Sequence, residues 1–168
     1  MTNFFNKVRI LLSYKGSPPD AFKTFIFSIF DVDMFKQYND TYGHIQGDQV
    51  LIEISEILRN LTKRANDFAF RIGGEEFCVI TSSMNENDAI DFFQSIKIAI
   101  EKAGIEHKKS LVNPCVTASF GLIIVDFKKV MHTEFDEIYD IHNIHKRADK
   151  LLYKAKDSGR NCIIHEVI

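Results

Sequence analysis

Apolar positions recur along this chain with two periods, and each change of period marks a change of element. From Phe4 to Lys15 they fall at helical spacing, predicting an amphipathic helix that the GSPPD stretch, Gly16 to Asp20, interrupts. Thr24 to Asp33 is nearly continuously apolar, as expected for a strand covered on both faces. Met34 to Gln49 is mixed and broken by Gly43 and Gly47, a turn or short helix. From Gln46 a strongly periodic helix follows, with Val50, Leu51, Ile54, Ile57, Leu58 and Leu61 on one face and Asp48 in its first turn, where a carboxylate suits the helix dipole. FAFRI, then Gly73 and Gly74, then FCVI predict two short strands ending near Thr81, joined by a tight turn whose tip carries Glu75 and Glu76. Ser83 to Gly104 reads as a helix capped by Asn85 or Asn87 and stopped by its glycine. Ile105 to Pro114 is a loop with or without a short edge strand, and Cys115 to Asp126 is a strand. Lys128 to Asn143 holds at most a short helix. Lys146 to Gly159 is a last helix with Ala148, Leu151, Leu152 and Ala155 inward, and Cys162 onward is a final strand.

That order of helix, strand, helix, hairpin, helix, strand, helix, strand fits one layered α/β or α+β domain whose sheet has both hairpin and crossover connections. The 168 residues, 45% of them hydrophobic, suffice for one core and not for two. A net charge of -2 argues against nucleic-acid binding, which needs a concentrated basic face. Cys78, Cys115 and Cys162 are odd in number and widely spaced, so reduced thiols in a cytosolic setting are expected. Neither a signal peptide nor a bilayer-spanning apolar run is legible, and a fragment cut from a longer signalling protein is compatible with the pattern.

Candidate chemistry centres on four carboxylates. Asp31 and Asp33, at spacing two, end the first strand pointing to the same side, and Glu75 and Glu76 tip the hairpin. Acids crowded at the ends of apolar strands repel and lose hydration, so a cation would compensate them; oxygen ligands favour Mg²⁺ or Mn²⁺. The plainer account is that they mark strand ends at the surface. Gly73 and Gly74 suit a tight turn and leave room for a ligand. N–H groups around Met34 and Phe35 would suit a terminal phosphate. Lys156 and Arg160, late in the last helix, complement its dipole or a triphosphate equally well. None of the six histidines forms a zinc motif, and no GxSxG elbow, GxxxxGK[ST] loop or Rossmann turn is present.

Taken together, FDVDMFKQYNDTYGHIQGDQVL (Phe30 to Leu51), RANDFAFRIGGEEF (Arg64 to Phe77), VTASFG (Val116 to Gly121) and RADKLLYKAKDSGRN (Arg147 to Asn161) resemble the GGDEF family of diguanylate cyclases, in its GGEEF form. MTNFFNK, Met1 to Lys7, resembles the family's opening LTGLxNR, with Asn3 and Lys7 departing from it.

The resemblance implies an α+β fold of the palm-like nucleotide-cyclase type, a ferredoxin-like core with a mostly antiparallel sheet flanked by helices. It implies synthesis of cyclic di-GMP from two GTP molecules by a homodimer whose two sites face each other. Asp31 and Glu75, with the Val32 carbonyl, would hold two Mg²⁺ or Mn²⁺ ions, and Glu76 would assist ligation or activation of the attacking hydroxyl. Asn39 and Asp48 would read guanine, Lys156 and Arg160 would neutralise the β and γ phosphates, and the backbone at Met34 and Phe35 would cap them. Arg64 and Asp67, an RxxD set five residues before the signature, would form a product-inhibition site for cyclic di-GMP. An upstream sensory or receiver domain would complete the protein. A catalytically idle sensor of GTP or cyclic di-GMP, and an adenylate or hybrid dinucleotide cyclase, are the competing readings.

Overall fold

The structure is a computed structural model and describes residues 23–83, 85–126 and 141–168. Its elements are β1 (Thr24–Val32), α1 (Phe35–Tyr42), α2 (His44–Leu61), β2 (Phe68–Gly73), β3 (Glu76–Ser83), α3 (Glu86–Lys102), β4 (Ala118–Asp126), α4 (Ile141–Asp157) and β5 (Ile163–Val167). The predicted helix over Phe4 to Lys15, the GSPPD break and nearly all of Lys128 to Asn143 lie outside the described residues.

Five strands form one sheet in the order β2-β3-β1-β4-β5. β1 is central and pairs antiparallel with β3 and β4, while β4 and β5 are parallel. All nine β1 residues are buried, as their continuous apolarity requires. Strand alternation divides the core in two. Ile26, Phe30, Val32, Val79, Phe120 and Leu122 pack under α2 and α3, through Leu51, Ile54, Phe93 and Ile96. Phe25, Phe27, Ile29, Cys78, Ile80, Ile123 and Val125 face α4, through Ile144, Ala148, Leu151 and Leu152. This is the α+β arrangement expected from the sequence, a mostly antiparallel sheet with helices on both faces.

α4 lies close enough to β4 that a Cβ on Gly121 would collide with the Ala148 carbonyl and the Leu152 amide. The glycine therefore sets the depth at which the last helix docks. Some predicted boundaries move. Gly43, at φ 87°, separates α1 from α2, but Gly47 sits buried inside α2 and breaks nothing. α2 begins at His44, two residues before the predicted Gln46, so Asp48 stands beyond its first turn. α4 is already helical at Ile141, ahead of the predicted Lys146, and buried Ile144 extends its apolar stripe backwards. Of the two candidate caps for α3, Asn85 serves, accepting the Asp88 N–H. β4 starts at Ala118; upstream, Cys115 makes only a bridge to Glu106.

Candidate active site

Parity along β1 sends Asp31 to the face covered by α4, the same face as Phe27 and Ile29. There its carboxyl is nearly buried and Oδ1 meets Lys156 Nζ at 2.9 Å. Asp31 is in register with Glu76 across the antiparallel ladder, and the Val32 N–H donates to the Glu75 carbonyl at 3.3 Å. The hairpin tip is thereby fastened to the end of β1. Burial pushes the Asp31 carboxyl up from 3.8 to about 6; the hydrogen bond and charge of Lys156 pull it down, and Glu75 and Glu76 push it up. Lys156 lies in the last turn of α4, as its predicted role of dipole partner requires, and in addition serves as counter-ion of a crowded carboxylate.

The structure separates Asp33 from this group. Only 2% exposed, it accepts Thr117 Oγ1 at 2.8 Å and the Asn161 N–H at 3.0 Å on Oδ2, and Ser119 Oγ at 2.6 Å on Oδ1. Its N–H also donates to the Thr117 carbonyl at 2.9 Å. A carboxylate bound this fully by the protein is a structural bolt rather than a cation ligand. It fastens a turn in which Gly159 (φ 104°), Arg160 (φ 65°) and Asn161 (φ 46°) are all left-handed. The left-handed Arg160 costs about 1–2 kcal/mol, whereas asparagine adopts this region readily, and Asn161 Oδ1 takes a further bond from Lys97 Nζ at 3.1 Å. Arg160 is consequently carried by a braced turn beyond α4 and not by the helix itself.

Beyond β1, Met34 is also left-handed, at φ 58° and ψ 28°, and caps α1 without a side-chain bond. Its carbonyl accepts the Tyr38 N–H at 3.0 Å. The first amides of α1 have no partners within the helix, which makes this end suited to anions. Further along α1, Asn39 lies against Gly47; a Cβ there would collide with Asn39 Oδ1, which is buried and has no hydrogen-bond partner. Asp48 is exposed on the next residue of α2. An unsatisfied amide oxygen beside an accessible carboxylate is a polar recognition element awaiting a donor. Among the described residues, no three His, Cys, Asp or Glu side chains are grouped to hold an ion. The predicted set of two carboxylates and one carbonyl does not require such a group.

Arg64 and Asp67 lie elsewhere. Asp67 Oδ1 accepts Thr81 Oγ1 at 2.5 Å and Oδ2 accepts the Arg64 N–H at 3.0 Å, closing the turn into β2. Thr81 stands five residues along β3 from Glu76, roughly 17 Å from the Asp31 end. The Arg64 side chain is exposed. Sequence reasoning missed the bracing partners Thr117, Ser119 and Asn161. The first two left a trace, as polar residues at alternate positions entering an apolar strand; Asn161 left one only as the last residue of the RADKLLYKAKDSGRN motif.

The chain's first 162 residues match the family model described as diguanylate cyclase, GGDEF domain. Diguanylate cyclase A of Treponema denticola is 35% identical over 94% of this chain, which spans 39% of that protein's length. Among solved structures, the diguanylate cyclase SiaD of Pseudomonas aeruginosa, in complex with its activator SiaC, is 25% identical with a TM-score of 0.76, covering 98% of this chain and 57% of that one. The active GGEEF domain of a diguanylate cyclase from Vibrio cholerae is 27% identical with a TM-score of 0.63, covering 85% and 83% of the two chains. With the sheet order, the carboxylates of the β1 end and hairpin tip, and the family match in agreement, this chain belongs to the GGDEF-domain family of diguanylate cyclases.

Proposed function

We propose that this domain condenses two GTP molecules into cyclic di-GMP, releasing two pyrophosphates. The observation that carries this is Asp31, a nearly buried carboxylate whose charge the fold disfavours and which sits within the field of Glu75 and Glu76. Crowded oxygen donors of this kind suit a hard divalent cation, Mg²⁺ or Mn²⁺, held by Asp31, Glu75 and the Val32 carbonyl, two ions per site. When bound, such ions polarise the α-phosphate, acidify the attacking 3′-hydroxyl and take up charge on the departing pyrophosphate.

The chain's own residues do the rest. Asn39 and Asp48 read the guanine edge: the Asn39 NH2 donates to N3, while its unpartnered Oδ1 and the exposed Asp48 carboxylate accept from N2 and N1. The amides around Met34 and Phe35 cap the terminal phosphates, and Arg160 neutralises them from its braced turn. Lys156 exchanges Asp31 for phosphate oxygens as substrate arrives. Glu76 assists ligation or activation of the hydroxyl. One site holds one GTP, so two domains must meet about a two-fold axis for each 3′-oxygen to bond to the other's α-phosphorus. Arg64 and Asp67 bind cyclic di-GMP as inhibitor, the guanidinium stacking on guanine while a second lone pair of Asp67 accepts its donors. Because the chain matches only part of its Treponema relative, we place it in a longer cytosolic or membrane-anchored protein, behind an upstream sensory or receiver domain.

The test is incubation of concentrated protein with GTP and Mg²⁺ or Mn²⁺, products resolved by chromatography with mass detection, beside Glu75→Gln. Cyclic di-GMP from the parent alone is the expected result, with ATP failing to compete. No product despite GTP binding and dimerisation would support the idle sensor instead. Calorimetry with cyclic di-GMP should show micromolar binding that Arg64→Ala removes; absence of heat from the parent overturns the inhibitory site.

A further inference from the structure

One buried polar side chain next to the phosphate turn has no part in the roles above. His107 is 1% exposed, in the loop between α3 and β4, and its Nε2 lies 3.1 Å from the Met34 carbonyl oxygen. A carbonyl only accepts, so Nε2 carries the hydrogen and donates; Nδ1 is then the bare nitrogen, and it is buried without a partner. That arrangement is the cheaper one, because an unpaired N–H in the same place would be a buried donor left unsatisfied.

The ring is buried and the loop that carries it is tied down. It meets Tyr38 of α1 edge-on at 5.3 Å between centroids. The His107 N–H donates to the Pro114 carbonyl at 2.7 Å, and the His107 carbonyl accepts the Ser110 N–H at 3.0 Å. The next residue, Lys108, donates its N–H to Tyr42 Oη at 3.0 Å, pinning the loop to the other end of α1. Ser110 Oγ in turn accepts the amides of Val112 and Asn113 at 3.1 and 3.3 Å, which closes the loop on itself. The histidine therefore holds a fixed position against a residue, Met34, whose left-handed backbone its own side chain does nothing to cap.

The peptide linking Met34 to Phe35 is a rigid plane with carbonyl and N–H on opposite sides. That carbonyl is held jointly by the Tyr38 N–H at 3.0 Å and by His107, and the Phe35 N–H, on the opposite side of the peptide plane, points away from both, out of the amino end of the helix. We propose that His107 is a positioning residue for the substrate's terminal phosphates, acting through the Met34 carbonyl to keep the phosphate-capping amides preorganised. This rests on the reading of the Met34 and Phe35 amides as the phosphate cap.

The experiment compares binding of a non-hydrolysable GTP analogue and of GMP, in Mg²⁺, to the parent, His107→Phe and His107→Gln. Phenylalanine keeps a ring without the donor; glutamine restores a donor at about the same reach. We expect His107→Phe to weaken the GTP analogue about tenfold and GMP less than twofold, to raise KM for GTP with kcat little changed, and His107→Gln to restore both. Equal loss for the two nucleotides, or no loss for either, overturns the assignment. Should the parent itself bind the GTP analogue no tighter than GMP, the phosphate cap is wrong and the assignment falls with it. Independently of ligand and variants, ¹⁵N spectra of the His107 ring in the parent should show hydrogen on Nε2 and none on Nδ1; the reverse tautomer overturns the proposal.

Discussion

Burial raises the Asp31 carboxyl from 3.8 to about 6, so between those values the folded chain keeps a proton that the unfolded chain has already released. Stability from this group is thus fully present below about pH 4 and is lost as pH rises through about 6, by at most about 3 kcal/mol. In chelator, Asp31→Asn should flatten that slope and raise the melting temperature at pH 8 while abolishing turnover; melts from pH 4 to 8 check both, and a variant less stable than the parent at pH 8 contradicts the picture of a disfavoured charge. Lys156, about a third exposed, can turn to water when its partner is gone. Asp33 has the opposite character. Asp33→Asn keeps one acceptor oxygen and sets its NH2 against either Ser119 Oγ or the pair Thr117 Oγ1 and Asn161 N–H, and with the loss of charge should cost about 1–3 kcal/mol in urea unfolding. It also loosens the turn carrying Arg160, so GTP affinity should fall as well. Asp31 and Asp33 look equivalent in the DVD stretch, and spacing two does put them on one side; what distinguishes them is who waits there, an ammonium from α4 for one and two hydroxyls and an amide for the other.

Inside α2, Gly47 leaves the space that the Asn39 side chain of α1 occupies. Gly47→Ala gains up to about 1 kcal/mol of helix propensity but sets a Cβ onto Asn39 Oδ1 and 3.2 Å from the buried Phe35 ring, so the fold should be destabilised by about 1–2 kcal/mol net, and the displaced Asn39 should weaken guanine-nucleotide binding severalfold. Parallel calorimetry and melts would separate the two effects; unchanged affinity would remove Asn39 from the base-reading role. Helical periodicity made α2, α3 and α4 legible as elements, and a continuous apolar run did so for β1. Their ends were not, because Gly47 reads as a break unless one knows that a neighbouring side chain needs its space, and Ile144 joins α4 only because the sheet offers it somewhere to pack.

A single site with one bound GTP cannot close a symmetric cyclic dinucleotide, so turnover should depend on encounter. Product formed per molecule is expected to rise with protein concentration and then level off, in step with dimerisation followed by sedimentation with a GTP analogue. Activity per molecule that stays constant down to concentrations where only monomer sediments would exclude the facing-site mechanism. The sheet order sets up this geometry: with β1 central and its carboxyl end beside the β2–β3 turn, the carboxylates and the amino end of α1 converge at one edge, while Asp67, tied to Thr81, stands at the other end of the same hairpin.

The sequence by itself determined the strand and helix content, the burial of β1 on both faces and the family, since these follow from local periodicity and from several motifs in order. It also set Asp31 and Glu75 apart as acids without obvious packing value, while Asn39 and Asp48 entered as candidates only through the resemblance to the family. Only the tertiary structure decided that Asp33 is a brace, that Lys156 neutralises Asp31, and that His107 grips Met34 from 73 residues away. Those assignments depend on which side chains meet across the sheet and between loops, and a pattern read along one chain contains no record of such distances.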